Sequence, residues 1–122
     1  KEAARLGATI LLKGNIDIVS DGSRTRFNRT GNPGMTVGGT GDVLSGIAGA
    51  FLARGILPLQ SAVAAAFING VAGDMAVSEK DYHVDPGDLI EKVPYVIKDA
   101  LKGCLRASYC LGIFVCACYF LI

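Results

Sequence analysis

The residues best placed to do chemistry run from Asn32 to Asp42 (NPGMTVGGTGD), with glycines at 34, 38, 39 and 41 and an apolar stretch immediately behind them. Glycine lets backbone amides turn inward and come close to a bulky anion. A helix beginning at Gly41 or Asp42 would add its unpaired N–H groups and the positive end of its dipole. Together these would make a phosphate cradle that uses no lysine. It is not a Walker loop, because no G-K-[ST] follows. The dinucleotide fingerprint also fails, at its third glycine (Gly39-x-Gly41-x-x-Leu44). Asp42 stands out here, since a carboxylate beside an anion site is repelled unless it has a task. Two tasks are open. It could accept the proton of a hydroxyl attacking a terminal phosphate. It could instead cap the helix, satisfying orphan amides.

Few other residues invite a chemical reading. Lys13 follows an apolar run and precedes Gly14; it is either an ordinary strand-end lysine or a nucleotide contact. His83, in Asp81-Tyr82-His83, is expected to be a solvated loop residue rather than a general base. Arg24, Arg26 and Arg29 read as a solvated face, the alternative being a phosphate clamp. Cys104, Cys110, Cys116 and Cys118 all fall within the last 19 residues, without paired C-x-x-C spacing or a histidine nearby. Neither a metal site nor a disulfide framework is expected of them.

Composition narrows the class. The 122 residues can hold one domain, and the net charge is +1 from 12 basic and 11 acidic side chains spread along the chain. No basic stripe points to nucleic acid. The charged start carries no apolar signal core, so a soluble cytoplasmic protein is the default expectation. The chain opens at Lys1 directly on a helix-like stretch, which suggests a piece of something longer.

The elements that must position the loop can be read in order. Lys1 to Leu6 reads as the end of a helix, stopped by Gly7. Ala8 to Leu12 reads as a buried strand, and Ile16–Val19 with Arg24–Phe27 as a hairpin turning at Ser20 to Ser23. The apolar spacing from Asp42 to Arg54 predicts a helix. Pro58 marks the start of a long Ala-rich helix through Glu79. That helix is apolar enough to raise the question of a membrane, but Gln60, Asn69 and Asp74 interrupt it, so a buried helix is expected. Gly46, Gly49, Gly70 and Gly73 each cost roughly 1 kcal/mol of helix propensity, which close approach to a neighbouring helix or the sheet would offset. Asp85-Pro86-Gly87 reads as a turn and Asp88–Lys102 as a last helix, disturbed at Pro94. Strands giving way to packed helices indicate α/β.

At the loop the sequence resembles a known family. A G-x-G-D turn opening a helix is similar to the anion hole of the ribokinase-like superfamily, and NPGMTVGGTGDVLSGI resembles its NAD(P)H-hydrate dehydratase branch. Related thiazole and pyrimidine kinases usually carry cysteine at the aspartate position. Upstream, Leu12-Lys13-Gly14-Asn15-Ile16-Asp17 resembles the family's nucleotide-contacting strand end, and the small-residue helix through Asn69 and Asp74 also matches.

The resemblance implies a three-layer α/β/α fold of which residues 1–103 are the C-terminal part. It implies that Lys13, Gly14, Asn15, Ile16, Asp17, Asn32, Gly38, Gly39, Thr40 and Gly41 line an ADP or ATP site, with Mg2+, and that Asp42 is catalytic and touches the hydrated nicotinamide. The implied reaction restores NADH and NADPH from the S-epimers of their hydrates, NADHX and NADPHX, through phosphorylation of the ring hydroxyl and elimination of phosphate. It further implies a homo-oligomer, and in the longer protein a fused epimerase domain. The alternatives are a small-molecule hydroxyl kinase of the same superfamily and an inactive nucleotide-binding remnant. Residues 104–122 continue nothing in the family. Their charge-free stretch from Ala107 is 16 residues long, short of the ~20 that span a bilayer.

Overall fold

In the computed structural model, which describes residues 1–107, Glu2–Leu6 form helix α1. Gly7 ends it in the left-handed conformation (φ 59°) that glycine adopts without steric penalty. Three short strands follow, β1 (Ile10–Leu12), β2 (Asp17–Ser20) and β3 (Thr25–Asn28), paired antiparallel in the order β1-β2-β3. Leu11 stands opposite Val19, and Val19 opposite Arg26. The expected hairpin is present, one residue later in each strand. Asp21 fastens its turn by accepting from the backbone N–H groups of Arg24 (2.7 Å) and Ser23 (2.9 Å). Those bonds, led by the one from Arg24, hold its carboxyl far below the usual range.

A short 3-10 turn, Pro33–Met35, leads into α2 (Thr40–Ala53), α3 (Pro58–Lys80) and α4 (Pro86–Ala107). Helix α3 is the spine. Its alanines at 65, 66, 72 and 76 are buried, and their small size lets α2, α4 and the strands close on it. Val19 from the sheet packs on Leu59 and Ala62, Leu44 from α2 on Ala65 and Ala66, and Val96 from α4 on Ile68 and Ala72. By length and composition α3 could cross a bilayer. Here it is the core helix, as its polar interruptions led us to expect.

Two expectations need correction. Asp85-Pro86-Gly87 is not a turn ahead of a helix; α4 begins at Pro86. Asp88 N–H donates to Asp85 Oδ1 (3.1 Å) and Asp85 N–H to Asp88 Oδ2 (3.0 Å), a reciprocal cap with Pro86 as first helical residue, a position that suits proline. Lys80, at the end of α3, donates to Asp88 Oδ1 (2.5 Å) and ties the two helix ends together. Pro94 does not interrupt α4, which continues to Ala107; Leu89 and Val96 on either side of it are buried against α3. The glycine expectation, close approach to a neighbouring helix or the sheet, is not met as stated: two of the four are closely approached, but by the loop segment ahead of α2. A Cβ at Gly70 would meet Thr30 in the loop, and one at Gly73 would meet Met35 at the end of the 3-10 turn. At Gly46 and Gly49 nothing lies within 4 Å, so close approach within the described residues does not explain them. The stretch 104–122 falls largely outside the described residues.

Candidate functional site

The loop from Thr30 to Gly39 cannot hold a shape on its own glycines, and α3 supplies the fixings. Asn28, buried at the end of β3, donates to the Ala66 carbonyl of α3 (3.2 Å) and to Asp17 Oδ2 (3.0 Å). Its side-chain Oδ1 accepts from Thr30 Oγ1 (2.8 Å). Asp74 of α3 takes the Gly31 N–H (2.9 Å) on one oxygen and the Asn32 amide (2.8 Å) on the other. Asn32 in turn caps the 3-10 turn by accepting from Gly34 N–H (2.9 Å). Thr40, buried, lies 3.3 Å from the carbonyls of both Met35 and Val37. On the other wall, Gly14 N–H donates to Asp17 Oδ1 (3.2 Å), fixing the turn after β1.

Between these walls lies a cleft of about 720 Å³. Of the residues singled out in the sequence, Lys13, Gly14, Asn15, Asp17, Asn32, Gly38 and Thr40 line it. The side chains of Asp17, Asn32 and Thr40 are engaged in holding the walls, so they shape the cleft. Lys13, Asn15 and the Gly38 backbone present the groups that can face a ligand. A second cleft of about 500 Å³ lies on the other side of the α2 start, and Gly41, Asp42 and Ser45 line it with Thr9 and Ser61. Lys13 lines both clefts.

Ile16 and Gly39 line neither cleft. Gly39 is the N-cap of α2, with φ 97°, and a Cβ on it would lie 2.6 Å from Pro86 Cγ. Its glycine character therefore serves the left-handed turn and the seating of α4, and a side chain there would point at α4 rather than into the cradle. The helix begins at Thr40, before Gly41 and Asp42. Asp42 lies in its first turn, exposed, and caps nothing: its own N–H donates to Gly39 O (3.0 Å). The capping role left open above is thereby overturned. A carboxylate in the first turn is favoured by the helix dipole and remains available to a ligand.

Sequence reasoning missed the fixings Asn28, Thr30 and Asp74. Asp74 left one signal: a carboxylate in the middle of an apolar helix must find donors. Asn69, noticed without a role, is 4% exposed at the cleft wall, and its Oδ1 has no hydrogen-bond partner among the described residues. His83, Arg24, Arg26 and Arg29 are all exposed, and Arg24 pairs with Asp21. Among the described residues no group of three or more His, Cys, Asp or Glu could hold a metal ion.

A glycine loop fastened to a small-residue helix, with a first-turn aspartate behind it, on a mixed α/β scaffold, matches part of the ribokinase-like structures. The solved YxkO of Bacillus subtilis superposes with TM-score 0.74 at 29% identity, covering 80% of this chain and 37% of that one. A ribokinase-like protein from Enterococcus faecalis gives 0.68 at 36%, covering 80% and 34%. Residues 1–95 match the NAD(P)H-hydrate dehydratase family, and the chain belongs to it. It is 53% identical over 98 residues to the bifunctional NAD(P)H-hydrate repair enzyme of Pyrobaculum aerophilum, and 58% over 92 residues to the ADP-dependent (S)-NAD(P)H-hydrate dehydratase of Cenarchaeum symbiosum. Those matches take in 80% and 75% of this chain, but only 20% and 32% of the relatives.

Proposed function

We propose that the protein of which this chain is part removes water from the S-epimers of NADHX and NADPHX, using ADP as phosphoryl donor. One observation carries the proposal: two clefts share Lys13 as a lining residue and both border the start of α2, with the glycine loop in one and Asp42 in the other. A nucleotide in the first cleft would end its phosphates against Gly38 and the α2 start, where helix geometry favours anions. The hydrated nicotinamide would lie in the second, its ring hydroxyl toward Asp42.

The chemistry balances over two steps. The hydroxyl oxygen attacks the terminal phosphorus, its proton passes to Asp42, and the bond to the departing nucleotide breaks. The ring phosphate then leaves with the electron pair of its C–O bond, and the adjacent ring carbon loses a proton, which restores the double bond. Membership of the family supports this reading, and ADP is preferred over ATP because the Cenarchaeum relative is named for it. Mg2+ fits the donors present. The exposed Asp42 carboxylate in the first turn of α2 is the group that would help hold it beside the phosphates, where it would neutralise their charge. An epimerase ahead of this domain is the corresponding proposal for the longer protein, supported by the bifunctional relatives.

The test is product analysis with purified hydrate and ADP. The dehydratase reading expects recovery of the dihydronicotinamide absorbance with one free phosphate per turnover. A stable phosphorylated substrate would instead identify a hydroxyl kinase.

A further inference from the structure

We propose that Lys13 acts on the phosphoryl group in transit between the two clefts and is not chiefly a determinant of nucleotide affinity. The proposal rests on the phosphoryl-transfer reading above and assigns Lys13 its place in it. Three observations point this way. Lys13 lines the glycine-loop cleft and the Asp42 cleft, whereas Gly38 lines only the first and Asp42 only the second. Its ammonium stands at the opening of α2, 3.9 Å from where a Cβ on Gly41 would be. It makes no ion pair or side-chain hydrogen bond among the described residues. The nearby carboxylate that could have claimed it, Asp17, is taken by Gly14 N–H and Asn28.

An exposed, unpaired ammonium on a flexible stem suits a charge that moves. During transfer the bond from phosphorus to the departing nucleotide oxygen lengthens as that to the ring hydroxyl forms, and negative charge spreads over the equatorial oxygens. Gly41 is in the first turn of a helix and cannot follow that shift. The lysine can, as a point charge with three rotatable donors. An interaction made mainly with the group in flight accelerates transfer without tightening nucleotide binding.

The experiment compares the full chain with Lys13→Met, which keeps the stem and removes the charge, and with Lys13→Arg. Calorimetry measures binding of ADP on its own, and binding of AMP with the hydrate present as acceptor, with and without aluminium fluoride, which mimics the phosphoryl group in transit between the two oxygens. Melting temperature is recorded beside it. In the unmodified protein aluminium fluoride tightens AMP binding. In Lys13→Met the AMP and ADP affinities should stay within about threefold while that tightening falls by about 100-fold. Lys13→Arg should keep part of it, and all three proteins should melt alike. If Lys13→Met instead loses nucleotide affinity by the same factor with and without aluminium fluoride, Lys13 is an ordinary nucleotide ligand and the proposal is overturned. If aluminium fluoride adds nothing to the unmodified protein, the phosphoryl-transfer reading itself falls, and Lys13 with it.

Discussion

A methyl group added at Gly70 would overlap Thr30 Oγ1 and lie 2.7 Å from both the carbonyl carbon and the carbonyl oxygen of Thr30. Carbon atoms rest at about 3.5–4.0 Å, so the Thr30–Gly31 backbone must withdraw by roughly 1 Å. That backbone is held on both sides, by Thr30 Oγ1 on Asn28 (2.8 Å) and Gly31 N–H on Asp74 (2.9 Å). Overpacking of this kind costs about 1–3 kcal/mol, while alanine in place of glycine returns about 1 kcal/mol of helix propensity. Gly70→Ala should therefore be neutral to about 2 kcal/mol less stable, and for a domain this size each kcal/mol lowers Tm by roughly 4–8 °C. The same displacement moves a cleft wall, so nucleotide affinity should fall even where stability barely changes. Gly46→Ala is the internal control: with nothing within 4 Å, it should gain about 1 kcal/mol and leave binding alone. Thermal melting followed by circular dichroism, with calorimetric titration of ADP, reads both quantities. A Gly70→Ala protein that melts as high as Gly46→Ala and binds ADP normally would refute the sorting of the glycines by contact.

Asp42→Asn removes a base from an exposed first-turn position, so it should lower turnover about 10²- to 10⁴-fold and shift stability by less than about 1 kcal/mol; near-normal turnover would remove Asp42 from the chemistry. Gly38→Val has open space around it and should weaken ADP binding with an unchanged melting temperature. Gly39→Val, at φ 97° and against Pro86, should destabilise the fold first. Asp88 is held below the ordinary carboxylate range, chiefly by its bond from Lys80 and then by the Asp85 N–H. Because the unfolded chain takes up this proton first, the stabilisation is complete above about pH 4 and is lost as pH falls through the folded value. Asp88→Asn should flatten that acid limb, and an unaltered acid transition would show that the tie between α3 and α4 does not contribute.

The elements were legible because local signals agreed with the tertiary fold. Gly7 sits in the left-handed turn that its place after Leu6 suggested, and Pro58 opens α3. The cradle's glycines could also be picked out, since few structures need so many together. Their division of labour could not. Gly38 faces the cleft and Gly39 faces Pro86, forty-seven positions on in the sequence, and no local pattern separates them. Asp42 was legible as an odd residue but not as a non-capping one, because the register of the α2 start depends on the left-handed turn at Gly39. The start of α4 was misread for a similar reason. Asp-Pro-Gly is a turn by composition, and only the reply from Asp88 makes Asp85 a cap.

The walls of the cradle have a consequence for how portable it is. Thr30 rests on Gly70, Gly31 and Asn32 hang from Asp74, and Gly39 abuts Pro86. A peptide copied from residues 30–54 would carry every glycine of the motif and none of these supports. It should bind phosphate no better than a scrambled control, and grafting it onto another helix should fail unless the partner helices travel with it. For the same reason the cradle should take shape late in folding, after α3 and α4 have docked. Its geometry belongs to contacts distant in sequence, which form only when the loops between them have closed.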